Sequence, residues 1–167
     1  MKILEKKEEK YIIVVGAGGV TEREGRYVSM EKQEVEGGNI KVIERSPYVK
    51  YRYQKGEKEQ DIYIKSEKLY SSGGQLLSEK YYEPQYSGKD KLNPQIRLTR
   101  SAAYDIGGKQ VGGQKIDYVE GRVQTKEVYD PKKNIVTSKT YRTGEETITK
   151  SGQIIPVSYT HLTLPTN

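Results

Sequence analysis

Two stretches decide the fold: residues 69–82, LYSSGGQLLSEKYY, and residues 128–141, VYDPKKNIVTSKTY. Laid side by side, Tyr70 meets Tyr129, Lys80 meets Lys139 and Tyr82 meets Tyr141. Leu76, Leu77 and Ser78 meet Ile135, Val136 and Thr137, which are conservative exchanges. Each stretch reads as one unit. A Tyr ends a strand, a Gly-, Asn- or Pro-bearing turn reverses the chain, and a second strand runs to another Tyr. A third stretch, Tyr104-Asp105-Ile106-Gly107-Gly108-Lys109, shares the Tyr and the Gly pair with the first and Tyr-Asp with the second. Units that recur in this way bury their faces on one another rather than on a separate core.

The same punctuation extends outward. Val49, Tyr51 and Tyr53 alternate with Lys50 and Arg52. Ile62 and Ile64 alternate with Asp61 and Tyr63, and Ile96 and Leu98 with Arg97 and Thr99. That period of two marks half-buried strands. Turn signals separate the runs: Gly37-Gly38-Asn39, Lys55-Gly56-Glu57, Ser71-Ser72-Gly73-Gly74, Gly107-Gly108, Gly112-Gly113 and Asp130-Pro131. No stretch carries a sustained helical stripe. The expected fold is all-β: antiparallel β-hairpin repeats forming an extended single sheet or a small sandwich. The expected organisation is a charged lead at 1–10, frayed or a short helix; a β segment at 11–66; and a hairpin-repeat region at 67–156.

At these residues the chain resembles a known family. KLYSSGGQLLSEKYY and AYDIGGKQVGGQKIDYVEGRVQTKEVYD look like the MORN-variant repeats of YwqK-type antitoxin proteins, over residues 69–142. The Tyr-Asp units also look like the YD repeats of Rhs-type shells. Spacing is irregular, the aromatic before the Gly turn is single, and Trp is absent, all departures from the MORN-variant pattern. Both resemblances imply hairpin repeats, and neither fixes a function.

Composition narrows the chemistry. The chain has 167 residues, 15 Tyr, no Phe, no Trp and no Cys. Leu, Ile and Val make up only about a fifth of it, just above the range in which chains stay disordered, so the core is expected to be thin and built on Tyr rings. Without Cys there is neither a disulfide nor a thiolate. The one His, His161, lies in Val157–Asn167, VSYTHLTLPTN. That string resembles the translation of a transposon-based sequencing adapter, so residues 157–167 are read as foreign and the natural chain is expected to continue past Pro156. The native part then lacks His as well as Cys. This excludes Ser-His-Asp and Cys-His catalysis and ordinary zinc sites, and leaves carboxylates for hard cations.

Gly16-Ala17-Gly18-Gly19 follows the apolar run Tyr11–Val15, but Thr21 stands where a dinucleotide fingerprint needs its third Gly and no amphipathic helix follows. It is read as a turn, and no cofactor is expected. Asp105, Asp117, Glu120, Glu127 and Asp130 are candidate paired carboxylates, although Asp105 and Asp130 stand where turns favour Asp. The stretch Tyr48-Val49-Lys50-Tyr51-Arg52-Tyr53-Gln54-Lys55 interleaves rings and cations, as single-stranded nucleic acid binding does. Its candidate partner-binding residues are Tyr48, Lys50, Arg52 and Lys55. Strand alternation instead expects Tyr51 and Tyr53 in the core, with Lys50 and Arg52 facing solvent.

The formal net charge is +6, yet 23 acidic residues are interspersed with 29 basic ones. The chain is read as a non-catalytic module, not an enzyme, that binds a protein partner. The alternatives are a structural subunit of a cell-surface or phage-like assembly, built by self-assembly, and nucleic-acid binding through Tyr48–Lys55. No membrane span is visible; a cytoplasmic location is the default, with surface or virion association as the other option. Deleting residues 157–167 is expected to leave the thermal midpoint unchanged relative to the full chain. A clear drop in the chain ending at Pro156 would mean that the tail packs as native structure.

Overall fold

The computed structural model describes residues 1–15, 22–51, 58–86, 94–142 and 145–154. They form ten strands: β1 Lys2–Val15, β2 Glu22–Glu34, β3 Ile40–Tyr51, β4 Lys58–Tyr70, β5 Leu76–Gln85, β6 Gln95–Tyr104, β7 Gln110–Val119, β8 Arg122–Asp130, β9 Ile135–Arg142 and β10 Glu145–Ile154. The strands lie in one open antiparallel sheet in chain order. The only helical element among the described residues is a 3-10 turn, Glu36–Gly38. The all-β hairpin expectation therefore holds, in its single-sheet form.

Along one end of the sheet the turns repeat. Three of them, 35–39, 71–75 and 105–109, share the same two backbone hydrogen bonds. The first residue's N–H donates to the fifth residue's carbonyl, and the fourth residue's N–H donates to the first residue's carbonyl. The fourth position is Gly38, Gly74 or Gly108, each with φ between 78° and 90°. This is a tight turn closed by a left-handed residue, the usual three-residue hairpin loop. Side chains at the first position reinforce two of them: Ser71 Oγ accepts from the Gln75 N–H at 3.0 Å, and Asp105 Oδ1 from the Gly107 and Lys109 N–H groups at 3.0 and 2.9 Å. The 128–141 stretch, which joins β8 to β9, is similar in outline but differs in its loop. Asp130 pairs with Ile135, residues 131–134 form the turn, and Asn134 takes the left-handed position at φ 54°. The two stretches are thus both strand–turn–strand, with loops of different length. The Tyr141 side chain lies outside the described set.

A second feature repeats in mid-strand, and sequence reading missed it. The even-numbered strands carry a residue that the preceding strand skips: one each in β2, β4, β6 and β8, at Ser29, Lys65, Thr99 and Gln124, and two in β10, the first at Thr149. An extra residue of this kind bends and over-twists its strand. In the first four cases the ladder to the next hairpin stops at the following residue: Met30, Ser66, Arg100 and Thr125. Neighbouring hairpins are therefore joined at the turn end and separate below the bulge. The Ser29 hydroxyl donates to the Lys7 carbonyl at 3.2 Å and the Thr99 hydroxyl to the Tyr81 carbonyl at 3.3 Å, the same bond in two copies. The first hairpin does more than separate. Its tip, Val14 and Val15, pairs with Glu59 and Lys58 on the edge of β4 that β3 does not occupy.

Two expectations are corrected. Residues 1–10 are neither frayed nor helical but the first part of β1. They are exposed, and their charges meet counter-charges on β2: Glu8 with Arg26 at 3.5 Å and Glu5 with Lys32 at 3.7 Å. Such a strand has no apolar period to read. Gly112-Gly113 is not a turn but part of β7, opposite Ala103 and Ala102. The unanticipated turn is Glu120-Gly121, with φ of 53° and 76°, which joins β7 to β8 as a two-residue loop. Gly16–Gly19 and Lys55-Gly56-Glu57 lie outside the described residues.

The core is thin, as composition implied. Among the described residues the buried apolar side chains are Ile43, Ala102 and Tyr129, beside buried polar ones that include Ser66, Glu79 and Gln110. Turn geometry therefore carries an unusual share of fold specificity. Gly74→Ala forces a side chain into the left-handed region at φ 90° and is expected to cost about 1–2 kcal/mol. Gly112→Ala meets nothing within 4 Å and should stabilise the strand by about 0.5–1 kcal/mol. Urea midpoints of the two variants should move in opposite directions.

Candidate binding cleft

The separation of the second hairpin (β3–β4) from the third (β5–β6) opens a cleft. The ladder between β4 and β5 ends at the Ser66–Tyr81 pair. Beside that point lies a cavity of about 410 Å³, lined by Glu44, Tyr63, Lys65, Ser66, Lys68, Tyr81, Tyr82, Glu83 and Thr99. The bulged residues of both hairpins, Lys65 and Thr99, are in its wall. Tyr86 spans the two hairpins, its hydroxyl donating to the Val49 carbonyl at 2.7 Å. A second recess of about 440 Å³, nearer the turns, is lined by Met30, Ile40, Val42 and Tyr70 among others.

Register explains the chemistry of the wall. Lys68 stands opposite Glu79, Ser66 opposite Tyr81, and Tyr81 opposite Arg100. The Arg100 guanidinium sits 4.2 Å from the centre of the Tyr81 ring and the Lys68 ammonium 5.9 Å from it. Both lie within cation–π range. Glu79 is only 7% exposed, and its carboxylate accepts the Tyr81 hydroxyl at 3.0 Å and the Tyr104 hydroxyl at 3.2 Å. A buried carboxylate held by two hydroxyls is a satisfied one. Burial pushes the Tyr81 phenol above its ordinary value, and the hydrogen bond to Glu79 adds to the shift. Burial also raises Tyr63, with the Glu83 charge second, and Tyr82, with Glu67 second. These phenols stay neutral at physiological pH, and that of Tyr81 donates to Glu79.

Of the partner-binding candidates singled out in the sequence, Tyr48 and Lys50 are among the described residues. Tyr48 meets Tyr63 edge to face, with ring centres 5.6 Å apart at 89°. Lys50 is not an open cation: its ammonium binds Asp61 at 2.9 Å and lies 5.7 Å from the Tyr48 ring. That hydrogen bond is the main cause holding Lys50 above its ordinary value and Asp61 below its own. Arg52, Lys55 and Tyr53 lie outside the described residues, as does the Tyr51 side chain. Tyr48 therefore backs Tyr63, which lines the cavity, while Lys50 is tied to Asp61 and Tyr48. Among the carboxylates, Asp105 and Asp130 accept turn N–H groups. Glu127 is pushed up by burial, with the Asp117 charge adding and Lys115 opposing. No group of three or more acidic or His residues that could hold a metal forms among the described residues.

Tyr63, Tyr81, Glu79 and Arg100 escaped the sequence reading because their proximity depends on register across three strands of two hairpins. The signal available was alternation alone, Glu79 with Tyr81 and Ser66 with Lys68. No protein-family model, curated protein or solved structure matches this chain. No helix among the described residues is long and apolar enough to cross a membrane.

The Lys50–Asp61 pair sets a pH dependence. Asp61 is depressed in the folded chain, so its contribution is present above the unfolded carboxylate value and is lost as pH falls through the folded one. Lys50 is raised, so its contribution is present below the ordinary lysine value and is lost as pH rises through the folded value. Asp61 is half exposed, which limits the pair to under about 1 kcal/mol. Asp61→Asn should lower the urea midpoint slightly at neutral pH and converge on the parent in acid. An offset unchanged down to acid pH would show that the charge pair is not its origin.

Proposed function

We propose that this chain is a non-catalytic β-hairpin repeat module that binds a protein partner, and that the cleft between its second and third hairpins is the contact site. The observation that carries this reading is the state of the wall. Its Lys65 and Glu44 lie 3.9 Å apart, and its Tyr81 is held by two residues next to the lining, Glu79, which accepts its hydroxyl, and Arg100, which sits on its ring. Groups fixed in this way form a shaped, preorganised surface, which lowers the ordering cost of recognition. Aromatic and Arg side chains are also those that dominate protein contacts.

Two observations weigh against the rival readings. Assembly through sheet edges favours long, flat edges, whereas β1 carries Lys2, Lys6, Lys7 and Lys10 and three register shifts. Nucleic-acid binding by base stacking needs open ring faces, whereas Tyr81 already carries a guanidinium and Tyr48 is packed against Tyr63.

The test places a photo-crosslinking residue at Lys65, in the cleft, or at Lys126, on β8, in cells that express the chain. The expected outcome is a discrete protein adduct from position 65 and none from position 126. The captured protein, purified, should bind the full chain and lose about tenfold affinity to Tyr63→Ala. Equal adducts from both positions would reject the site. Adducts to nucleic acid alone would reject the function.

A further inference from the structure

The cleft has a backbone feature as well as a side-chain one. Strand β4 pairs with β3 along its whole length, from Tyr70 opposite Ile40 to Lys58 opposite Tyr51. Its other edge is taken at two ends only. The β1 tip covers Lys58 and Glu59, and β5 covers Ser66 to Tyr70. Among the described residues, Gln60–Lys65 has no ladder partner on that side. This stretch lies between two pairings that are both antiparallel, and the cavity lined by Tyr63, Lys65 and Ser66 sits against it.

We infer that the edge of β4 at residues 60–65 receives an extended segment of the protein partner, which adds to the sheet as a short antiparallel strand. This rests on the reading of the cleft as a protein-binding site. Three observations carry the step from site to binding mode. The chain itself uses this edge for strand addition, since Val14 and Val15 of the first hairpin pair there. Among the described residues, the vacant length is bounded on both sides and admits about six residues, roughly 20 Å of extended chain, which selects a peptide segment over the long edge of a second folded copy. The bulge at Lys65 bends β4 away from β5, so the gap follows from the hairpin geometry. Main-chain hydrogen bonds to β4 supply affinity, and the Tyr63, Tyr81 and Tyr82 recess takes one apolar or aromatic side chain of the segment, the usual division of labour in strand addition.

The test uses the full chain and peptides selected from a displayed library of random octapeptides. Hydrogen exchange on adding a selected, synthesised peptide should slow within 60–65 and leave 2–7 of the exposed β1 edge unchanged. Methylating alternate backbone amides of the peptide should weaken binding at least about tenfold on one face of the alternation, because only that face bonds to β4. Lys65→Pro and Tyr63→Ala should both weaken binding, and the peptide-side methylation decides the matter if either variant fails to fold. Protection outside 60–65, or full tolerance of methylation on both faces, would overturn the proposal. Slowed exchange at 60–65 without peptide, rising with protein concentration and accompanied by dimers in sedimentation, would assign the edge to a second copy instead. Protein adducts that map away from position 65 would sink this inference and the site, but leave protein binding standing. Loss of all protein contact would sink both.

Discussion

The rest of the structure depends on an extra residue placed on every second strand. A ladder of antiparallel hydrogen bonds tolerates such an insertion only by bending the strand that carries it. Ser29, Lys65, Thr99 and Gln124 occupy equivalent places, each just before the residue at which pairing to the next hairpin ends. Above the bulges, one sheet runs through every strand. Below them the ladders between neighbouring hairpins end, although the tip of the first hairpin pairs with the far edge of β4. The cleft is thus a consequence of the repeat and sits where two bulged hairpins diverge.

A sheet of this kind must hold together with little apolar burial. With so few buried apolar side chains among the described residues, stabilisation is spread over cross-strand pairs, each of which contributes little alone. Lys41 with Glu67 at 3.3 Å, Arg45 with Glu31 at 3.5 Å and Lys50 with Asp61 at 2.9 Å lie on adjacent strands. Tyrosine serves this architecture well. Its ring fills the half-buried layer while its hydroxyl finds a partner, as Tyr118 does on the Leu98 carbonyl at 2.7 Å and Tyr129 on Asn134 at 3.1 Å. Phenylalanine, which is absent from the chain, could make neither bond.

The proposed binding role follows from the same economy of material. Cations, acids and rings that hold the sheet together also line the cleft, so recognition there reads shape and backbone more than free charge. Lys65 shows the overlap. It is the bulged residue that bends β4, it lies 3.9 Å from Glu44, and it forms part of the cavity wall.

The sequence by itself determined the strands and most of the turns. Period-two alternation at 62–64 and 96–98, and Gly pairs at 37–38, 73–74 and 107–108, are local signals, because pleat direction and left-handed φ are properties of single residues and their neighbours. It also determined that the core would be thin. It misread Lys2–Lys10 and Gly112-Gly113, whose strand character comes from partners on β2 and β6 rather than from their own pattern. The candidate site was legible only in part. Tyr48 backs Tyr63 of the cavity lining, but its role and that of Lys50 were fixed by Tyr63 and Asp61 on the next strand. Tyr81, Glu79, Arg100 and Tyr104 come from two strands and a loop boundary, and only register brings them within hydrogen-bonding and cation–π distance. The bulges were decided by tertiary structure alone. Ser29, Lys65, Thr99 and Gln124 share no residue type, and a skipped residue exists only relative to the strand that skips it.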